Sequence, residues 1–158
     1  MKLILIRGNS GSGKTSLANL LHKGIPHSRL IHQDVIRRDI LNTHDDLVVQ
    51  ELIIAMLEVM KKQEQPIILE GIFRKDKYQK LFDYLFNHFD CDCYYYDLSF
   101  EETLKRHQTR NEKEEFDDKI MKSWFREQDQ LNIAQEILFD QNVSLKQAID
   151  KVIKNLKQ

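Results

Sequence analysis

Glycine and proline are scarce in this chain, with five Gly and two Pro among 158 residues. That scarcity excludes flexible linkers and low-complexity tracts, and no internal repeat is found, so one domain over residues 1–158 is expected. Cysteine is nearly absent as well. Cys91 and Cys93 are the only two, too few for a disulfide framework or a zinc site. Spaced two apart in an apparent strand, they are expected on one sheet face as buried free thiols. An excess of one charge sign is also missing. Twenty-four Lys and Arg meet 25 Asp and Glu, a formal charge of −1, so bulk attraction to nucleic acid or an anionic membrane is no main driver. No apolar run approaches the roughly 20 residues of a membrane span. Met1 to Ile6, followed by Arg7, is too short for a secretory signal, so a cytoplasmic location with no membrane partner is expected. None of the six histidines falls in a metal-binding pattern.

Three of the five glycines are concentrated in one place. Residues 8 to 15 read Gly8-Asn9-Ser10-Gly11-Ser12-Gly13-Lys14-Thr15, a complete G-x-x-x-x-G-K-[ST] phosphate loop. Chance produces this pattern in roughly one chain of this size in a couple of hundred. Its flanks remove most of those chance cases. Lys2 to Arg7 is nearly unbroken apolar sequence, as in a parallel strand covered on both faces. Ser16 to Lys23 carries apolar residues at helical spacing and stops at Gly24. Strand, loop and helix in that order aim successive backbone N–H groups into one concavity at a helix N-terminus, where the dipole favours anions. Gly8, Gly11 and Gly13 are expected to keep side chains out of the concavity. Lys14 would reach the β- and γ-phosphates, and the hydroxyl of Thr15, followed by Ser16, would ligate Mg²⁺. An ordinary glycine turn is the competing explanation, and it accounts for none of the flanks.

The remaining chain alternates strands and helices. Leu30-Ile31-His32 reads as a second strand, 66–71 as a third, 91–98 as a fourth and 136–139 as a short fifth. Helical spacing covers 35–41, 47–62, 77–88, 120–131 and 144–156, with Asp45 or Asp46 starting the second of these. Ser99 with Glu102, and Ser144 with Gln147, have capping-box spacing. Alternation of this kind implies an α/β fold, a parallel sheet with helices on both faces. Its ligand site is expected at the carboxyl ends of the strands, bringing the phosphate loop, Asp34, Glu70 and Asp97 to one edge.

Phosphoryl transfer needs a carboxylate to orient and deprotonate an acceptor hydroxyl, and a cation near the transferring group. Asp34 and Arg37, three apart, share a helix face. Asp34 can also cap the helix at Val35, and the two roles are compatible. Arg38 and Asp39 read as surface residues. Glu70, after three aliphatics, can hold the Mg²⁺ shell or contact substrate, although Asp is commoner at such a strand end. Gly71 is expected to let the chain pass close to the phosphate loop. Arg74 can bind an anionic or hydroxyl-rich acceptor, or stand exposed among Lys75, Asp76 and Lys77. Arg106 and Arg110 lie on one stripe of the helix begun at Ser99, ahead of the charged stretch from Asn111. Such a segment, about 104–120, suits a lid whose arginines stabilise charge while closure excludes water. A solvated helix with a Glu102–Arg106 pair is the plainer alternative. His107, between these arginines, can touch a nucleotide but reads first as a surface residue, and Trp124 and Phe125 read as core. The nucleotide base is expected near 131–142.

Taken together, these residues resemble the small P-loop kinases of the nucleoside-monophosphate-kinase-like class. Within it, the chain resembles the branch of zeta toxins, chloramphenicol phosphotransferases and polynucleotide kinases. The resemblance rests on Gly8–Thr15, Asp34-x-x-Arg37, Ile68-Leu69-Glu70-Gly71 and Arg106-His107-x-x-Arg110, and spans nearly the whole chain. It implies a three-layer P-loop NTPase fold with a five-stranded parallel sheet in order 2-3-1-4-5. It further implies Asp34 as the acceptor-binding base, Arg37 as a transition-state or acceptor contact, and Arg106 and Arg110 as lid arginines. The expected activity is transfer of the γ-phosphoryl of ATP, with Mg²⁺, to a hydroxyl of a small-molecule acceptor. Two alternatives stand beside it. One is a polynucleotide 5′-hydroxyl kinase, with nucleic acid as partner. The other is a nucleotide-binding switch without turnover, for which the Asn-Lys-x-Asp and Asp-x-x-Gly signatures of GTPases are missing. An AAA-type motor would need a helical lid domain and an oligomeric arginine finger, for which 158 residues leave little room.

Overall fold

The computed structural model describes residues 1–109 and 117–157. Strand β1 (Lys2–Gly8) runs through the middle of a five-stranded sheet. Around it stand β2 (Arg29–His32), β3 (Ile67–Gly71), β4 (Asp90–Tyr96) and β5 (Glu136–Phe139). The order is β2-β3-β1-β4-β5 and every pairing is parallel. This is the three-layer P-loop NTPase architecture that the sequence implies.

A strand covered on both faces must be apolar at consecutive positions, and Leu3 to Ile6 and Ile67 to Leu69 are buried throughout. Side chains alternate between the faces. Leu3, Leu5, Leu69, Cys91 and Cys93 pack beneath α2 (Asp46–Met60) and α3 (Gln79–His88). Ile4, Ile6, Ile68 and Tyr94 pack beneath α1 (Lys14–Gly24) and α6 (Leu145–Leu156). Both cysteines are free and share one face, as their spacing requires, and burial pushes both thiols up from their ordinary pKa. Among the described residues no helix is long and apolar enough to cross a membrane.

Capping fixes the helix starts. The Asp45 carboxylate accepts from the backbone N–H of Leu47 and Val48 at the head of α2. Ser144 and Gln147 make a complete reciprocal box on α6. On α4 (Phe100–Gln108) Ser99 accepts from Glu102 N, but the Glu102 carboxylate turns forward to Arg106, so only half of the expected box forms.

Two segments depart from the sequence expectation. Residues Val35–Ile40 form a π-helical turn closed by Leu41 N donating to Ile36 O, and Asp34 makes no capping bond. The helix expected over 120–131 is α5 (Asp118–Trp124) and ends seven residues early. The cause is tertiary. Asn9 donates to Arg126 O at 2.7 Å and accepts from Arg126 N at 2.9 Å, which takes both backbone groups a continuing helix would need. Trp124, the last residue of α5, and Phe125, its C-cap, are not core. Trp124 is 42% exposed, and Phe125 is half-buried, edge-on to Phe100.

Candidate active site

The phosphate loop joins β1 to α1 at the point where the chain's crossovers diverge, because β1 leads out to β2 and β3 leads back across to β4. Each glycine serves a different local need. Gly13, at φ +101°, is the left-handed N-cap of α1. Gly11, at φ +78°, is pressed against α4, where a Cβ would stand 2.7 Å from Thr103 O. Its smallness also serves the loop–helix contact, a role the loop pattern does not show. The expectation for Gly71 is corrected. A Cβ there would meet the Gln33 side chain at 2.5 Å, so Gly71 makes room for Gln33 rather than for the phosphate loop.

Lys14 is buried, and its Nζ donates back to Asn9 O at 2.9 Å across the loop. Ser12 Oγ is buried without a partner among the described residues, an unmade bond inside an anion-binding loop. The Thr15 hydroxyl donates to Glu70 Oε1 at 3.2 Å, and His32 Nδ1 stands 2.8 Å from the same oxygen. Two hard oxygen donors converge there. Among the described residues no group of three His, Cys, Asp or Glu could hold a metal. Thr15 and Glu70 therefore fit an ion that takes its remaining ligands from phosphates and water, as Mg²⁺ does.

Cavities open on both sides of the loop. One, of about 440 Å³, is bordered by Gly11, Gly13, Ser16, Tyr96, Arg106 and the stretch 141–145. Arg106 Nη1 donates to Ser12 O at 3.0 Å while its Nε pairs with Glu102, so the helix ion pair and the loop contact coexist. Burial raises the Tyr96 phenol to about 12. His107 is buried beside Gly11 with Nδ1 unpartnered among the described residues, contrary to its expected surface position. Arg110, and the lid stretch from it to residue 116, lie outside the described residues.

The other cavity, of about 680 Å³, holds Asp34, Arg37 and Arg74 in its wall and touches the loop at Ser10. Asp34 is open to solvent and 3.7 Å from Arg38, which also lines the wall. Arg37 binds Asp46 and donates to Tyr78 Oη at 2.8 Å. Burial opposes the Arg37 charge, but the Tyr78 oxygen and the Asp46 carboxylate outweigh it and hold the guanidinium above its ordinary pKa. Tyr78 is shifted up by burial, then by its bond to Asp46, and it also accepts from Gln33. Arg74 forks onto Asp76 at 3.1 and 2.7 Å. Asp97 accepts from Gln130 at the β4 end of the same sheet edge.

Sequence reading missed two arginines. Arg126 follows α5 and reaches the cavity wall because Asn9 holds its backbone. Arg7 follows Leu3 and Leu5 on their face of β1 and is fully buried. Its guanidinium makes five hydrogen bonds, matching its five N–H donors: two to Phe73 O, one each to Asp129 O, Asp129 Oδ2 and Glu136 Oε1. Phe82 and Tyr95 cover it at 5.2 and 4.9 Å. Arg7 thereby ties the β3–α3 loop to the segment after α5, the two stretches that carry Arg74 and Arg126. An arginine in an otherwise apolar strand was the available signal.

Solved structures share this architecture, two of the following three under kinase names. A sugar kinase from Janibacter sp. HTCC2649 superimposes with a TM-score of 0.72 at 17% identity, over 99% of this chain and 95% of that one. A gluconokinase from Sinorhizobium meliloti 1021 gives 0.71 at 15%, over 99% and 95%. The tunicamycin resistance protein of Deinococcus radiodurans gives 0.71 at 15%, over 98% and 95%. At such identities the likeness establishes the fold. No curated protein sequence matches the chain. A family model described as an AAA domain matches residues 3–131, from the phosphate-loop strand through the segment that Asn9 and Arg7 hold. With most of its length inside that model, the chain belongs to the AAA_33 family of AAA domains.

Proposed function

We propose that the protein is an ATP- and Mg²⁺-dependent phosphotransferase acting on a hydroxyl of a small-molecule acceptor. The observation that carries this reading is the pair of cavities flanking one phosphate loop, with Asp34 and Arg37 in the wall of the larger. A switch without turnover has no use for the second cavity. The kinase names of the structural neighbours support the same reading.

The smaller cavity takes the nucleoside, and the loop from Gly8 to Ser16 takes the phosphates, with Lys14 over the β- and γ-groups. Thr15 and Glu70 would hold Mg²⁺, which would neutralise charge on the phosphate oxygens. Asp34 accepts the acceptor's hydroxyl proton. The acceptor oxygen then bonds to the γ-phosphorus while the bond to the β,γ-bridging oxygen breaks, and its electron pair leaves with ADP. Arg37, fixed by Asp46 and Tyr78, places positive charge beside the transferring group. Arg106 does the same from the donor side, and Arg110 is proposed to join it. Such fixed charges act without reorganising at the moment of transfer.

Transfer of label from γ-³²P-ATP into pooled acceptors tests the reading. The pools are sugars, nucleosides, aminoglycosides and related antibiotics, and a 5′-hydroxyl RNA oligonucleotide. Asp34→Asn is expected to lower transfer by about 10²–10⁴-fold while ATP still binds. Unchanged transfer in Asp34→Asn refutes the assigned base. Label entering the oligonucleotide alone establishes the polynucleotide kinase in place of the small-molecule enzyme.

A further inference from the structure

We infer that the acceptor is a hydroxyl-bearing organic anion, a carboxylate or phosphate monoester, whose charged group sits between Arg74 and Arg126; this rests on the phosphotransferase reading. The larger cavity carries four guanidiniums, of Arg37, Arg38, Arg74 and Arg126, against two carboxylates, Asp34 and Asp46. Counting arginines and carboxylates alone, that is a formal excess of two positive charges, in a chain whose net charge is −1. Sequence composition set aside bulk attraction to nucleic acid or an anionic membrane and left a local basic cleft open, and the fold gathers positive charge in this one wall. A cleft lined by one sign of charge raises the local concentration of the opposite ion.

The excess belongs to particular residues. Asp46 binds Arg37 and Asp34 faces Arg38, which matches the two carboxylates of the wall with two of its arginines. Arg74 pairs with Asp76, which lies outside the wall with its side chain 57% exposed. The pair is forked but stands open to water at its Asp76 end, so a ligand held in the cavity competes with Asp76 for the guanidinium. The Arg126 guanidinium donates to the neighbouring carbonyl of Phe125 at 3.1 Å, while Asn9 pins its backbone. The two guanidiniums are carried on different segments, and Arg7 bonds to both of these, at Phe73 O and at Asp129. A buried, fully bonded arginine thus holds the two segments together, and two forks of five donors each suit a carboxylate or phosphate.

The donor's phosphates do not account for this charge. Their cationic partners, Lys14 and Arg106, lie on the loop and in the smaller cavity, and Ser10 alone of the loop borders the larger one. The opposite requirement, an apolar flank, is met by Ile72, Phe73 and Trp124. The acceptor therefore has three parts: a hydroxyl for Asp34, an anion for Arg74 and Arg126, and carbon skeleton between.

Trp124 is the only tryptophan and lines this cavity, so its fluorescence reports occupancy without any need for turnover. The full chain, saturated with Mg²⁺ and AMP-PNP at constant ionic strength, is titrated with three pools: neutral polyols and sugars, hydroxycarboxylates, and phosphate monoesters. A saturable change is expected with one of the two anionic pools, at half-saturation at least tenfold below that of the neutral pool. Which pool responds separates carboxylate from phosphate. Arg74→Gln and Arg126→Gln are each expected to raise that half-saturation about tenfold, with Arg74→Lys recovering most of the loss and thermal melts confirming folding. Equal or tighter response to the neutral pool, no response to either anion, or unaffected Gln variants overturns the inference. Labelled transfer from γ-³²P-ATP is read in parallel. Anion binding without transfer removes the kinase reading and leaves the anion site, whereas transfer to neutral acceptors alone does the reverse.

Discussion

The two cavities beside the phosphate loop are built from different material. The smaller is walled by regular structure: the loop itself, the end of β4, helix α4, and the turn capped by Ser144 at the head of α6. The larger is walled by a π-helical turn, the loop after β3 and the chain leaving α5. Its lining includes Asn42 and Phe73, both at positive φ without being glycine, at +45° and +36°. Backbone of that kind persists only where surroundings enforce it. At Phe73 the enforcement is visible, since Arg7 takes its carbonyl in two hydrogen bonds. The cavity proposed for the nucleotide thus rests on repeating elements, whereas the one proposed for the acceptor hangs on one buried polar hub.

That contrast can be broken at either end, and the largest effect is expected on the donor side. Lys14→Ala should lower label transfer by about 10³-fold, the scale of losing one fixed charge at a developing anion. The Trp124 response to acceptor should survive it, because Lys14 is no part of the larger cavity. Loss of both together would show the cavities to be one site.

Arg7→Leu should do the opposite. Removing the cation leaves Asp129 and the nearly unexposed Glu136 carboxylate without their partner, at a cost of about 3–5 kcal/mol, measured by urea unfolding. In whatever fraction remains folded, acceptor KM should rise while ATP affinity stays. Arg7→Lys keeps the charge but offers fewer donors, and should recover only part of the stability.

Gly11→Ala separates the two walls more finely. A Cβ 2.7 Å from Thr103 O, on a residue at φ +78°, should cost about 1–3 kcal/mol and displace α4 from the loop. ATP KM should rise more than acceptor KM. Asn9→Ala tests the converse by releasing Arg126. Acceptor KM is expected to climb about tenfold, or about 1.4 kcal/mol, with ATP KM changed less than twofold. Equal changes in both constants would show that Asn9 acts through the loop alone.

The smallest effect is a pH dependence shared by both sides. Burial raises Tyr95 and Tyr96 to about 12, from an ordinary value of 10.0. Above pH 10 the unfolded phenols lose protons that the folded ones keep. Unfolding then releases protons, so stability is full below pH 10 and falls progressively toward pH 12. Urea midpoints that stay flat through that window would contradict the shift.

The residues that sequence reading placed well are those whose role depends on neighbours along the chain. Gly8 to Thr15 announces itself by spacing, and the strands by apolar runs. Ser99, Ser144 and Asp45 cap helices because a cap needs only the next three residues. Asp34 and Arg37 share a cavity because three residues make nearly one helical turn. Misplaced residues depend on partners far away. Helical spacing over 120–131 is real in the sequence, but Asn9, more than a hundred positions upstream, ends the helix at Trp124. His107 reads as polar surface until α4 lies against Gly11.

Sequence alone therefore determined the sheet, its strand order through the resemblance it carries, and the phosphate loop, because hydrophobic period, caps and glycine spacing are local signals. Tertiary structure alone decided where Arg7 and Arg126 go and what the wall of the larger cavity is made of. A buried guanidinium takes whatever carbonyls and carboxylates the fold brings within hydrogen-bond reach, and those partners, at positions 73, 129 and 136, have no fixed spacing from residue 7 that a sequence could display.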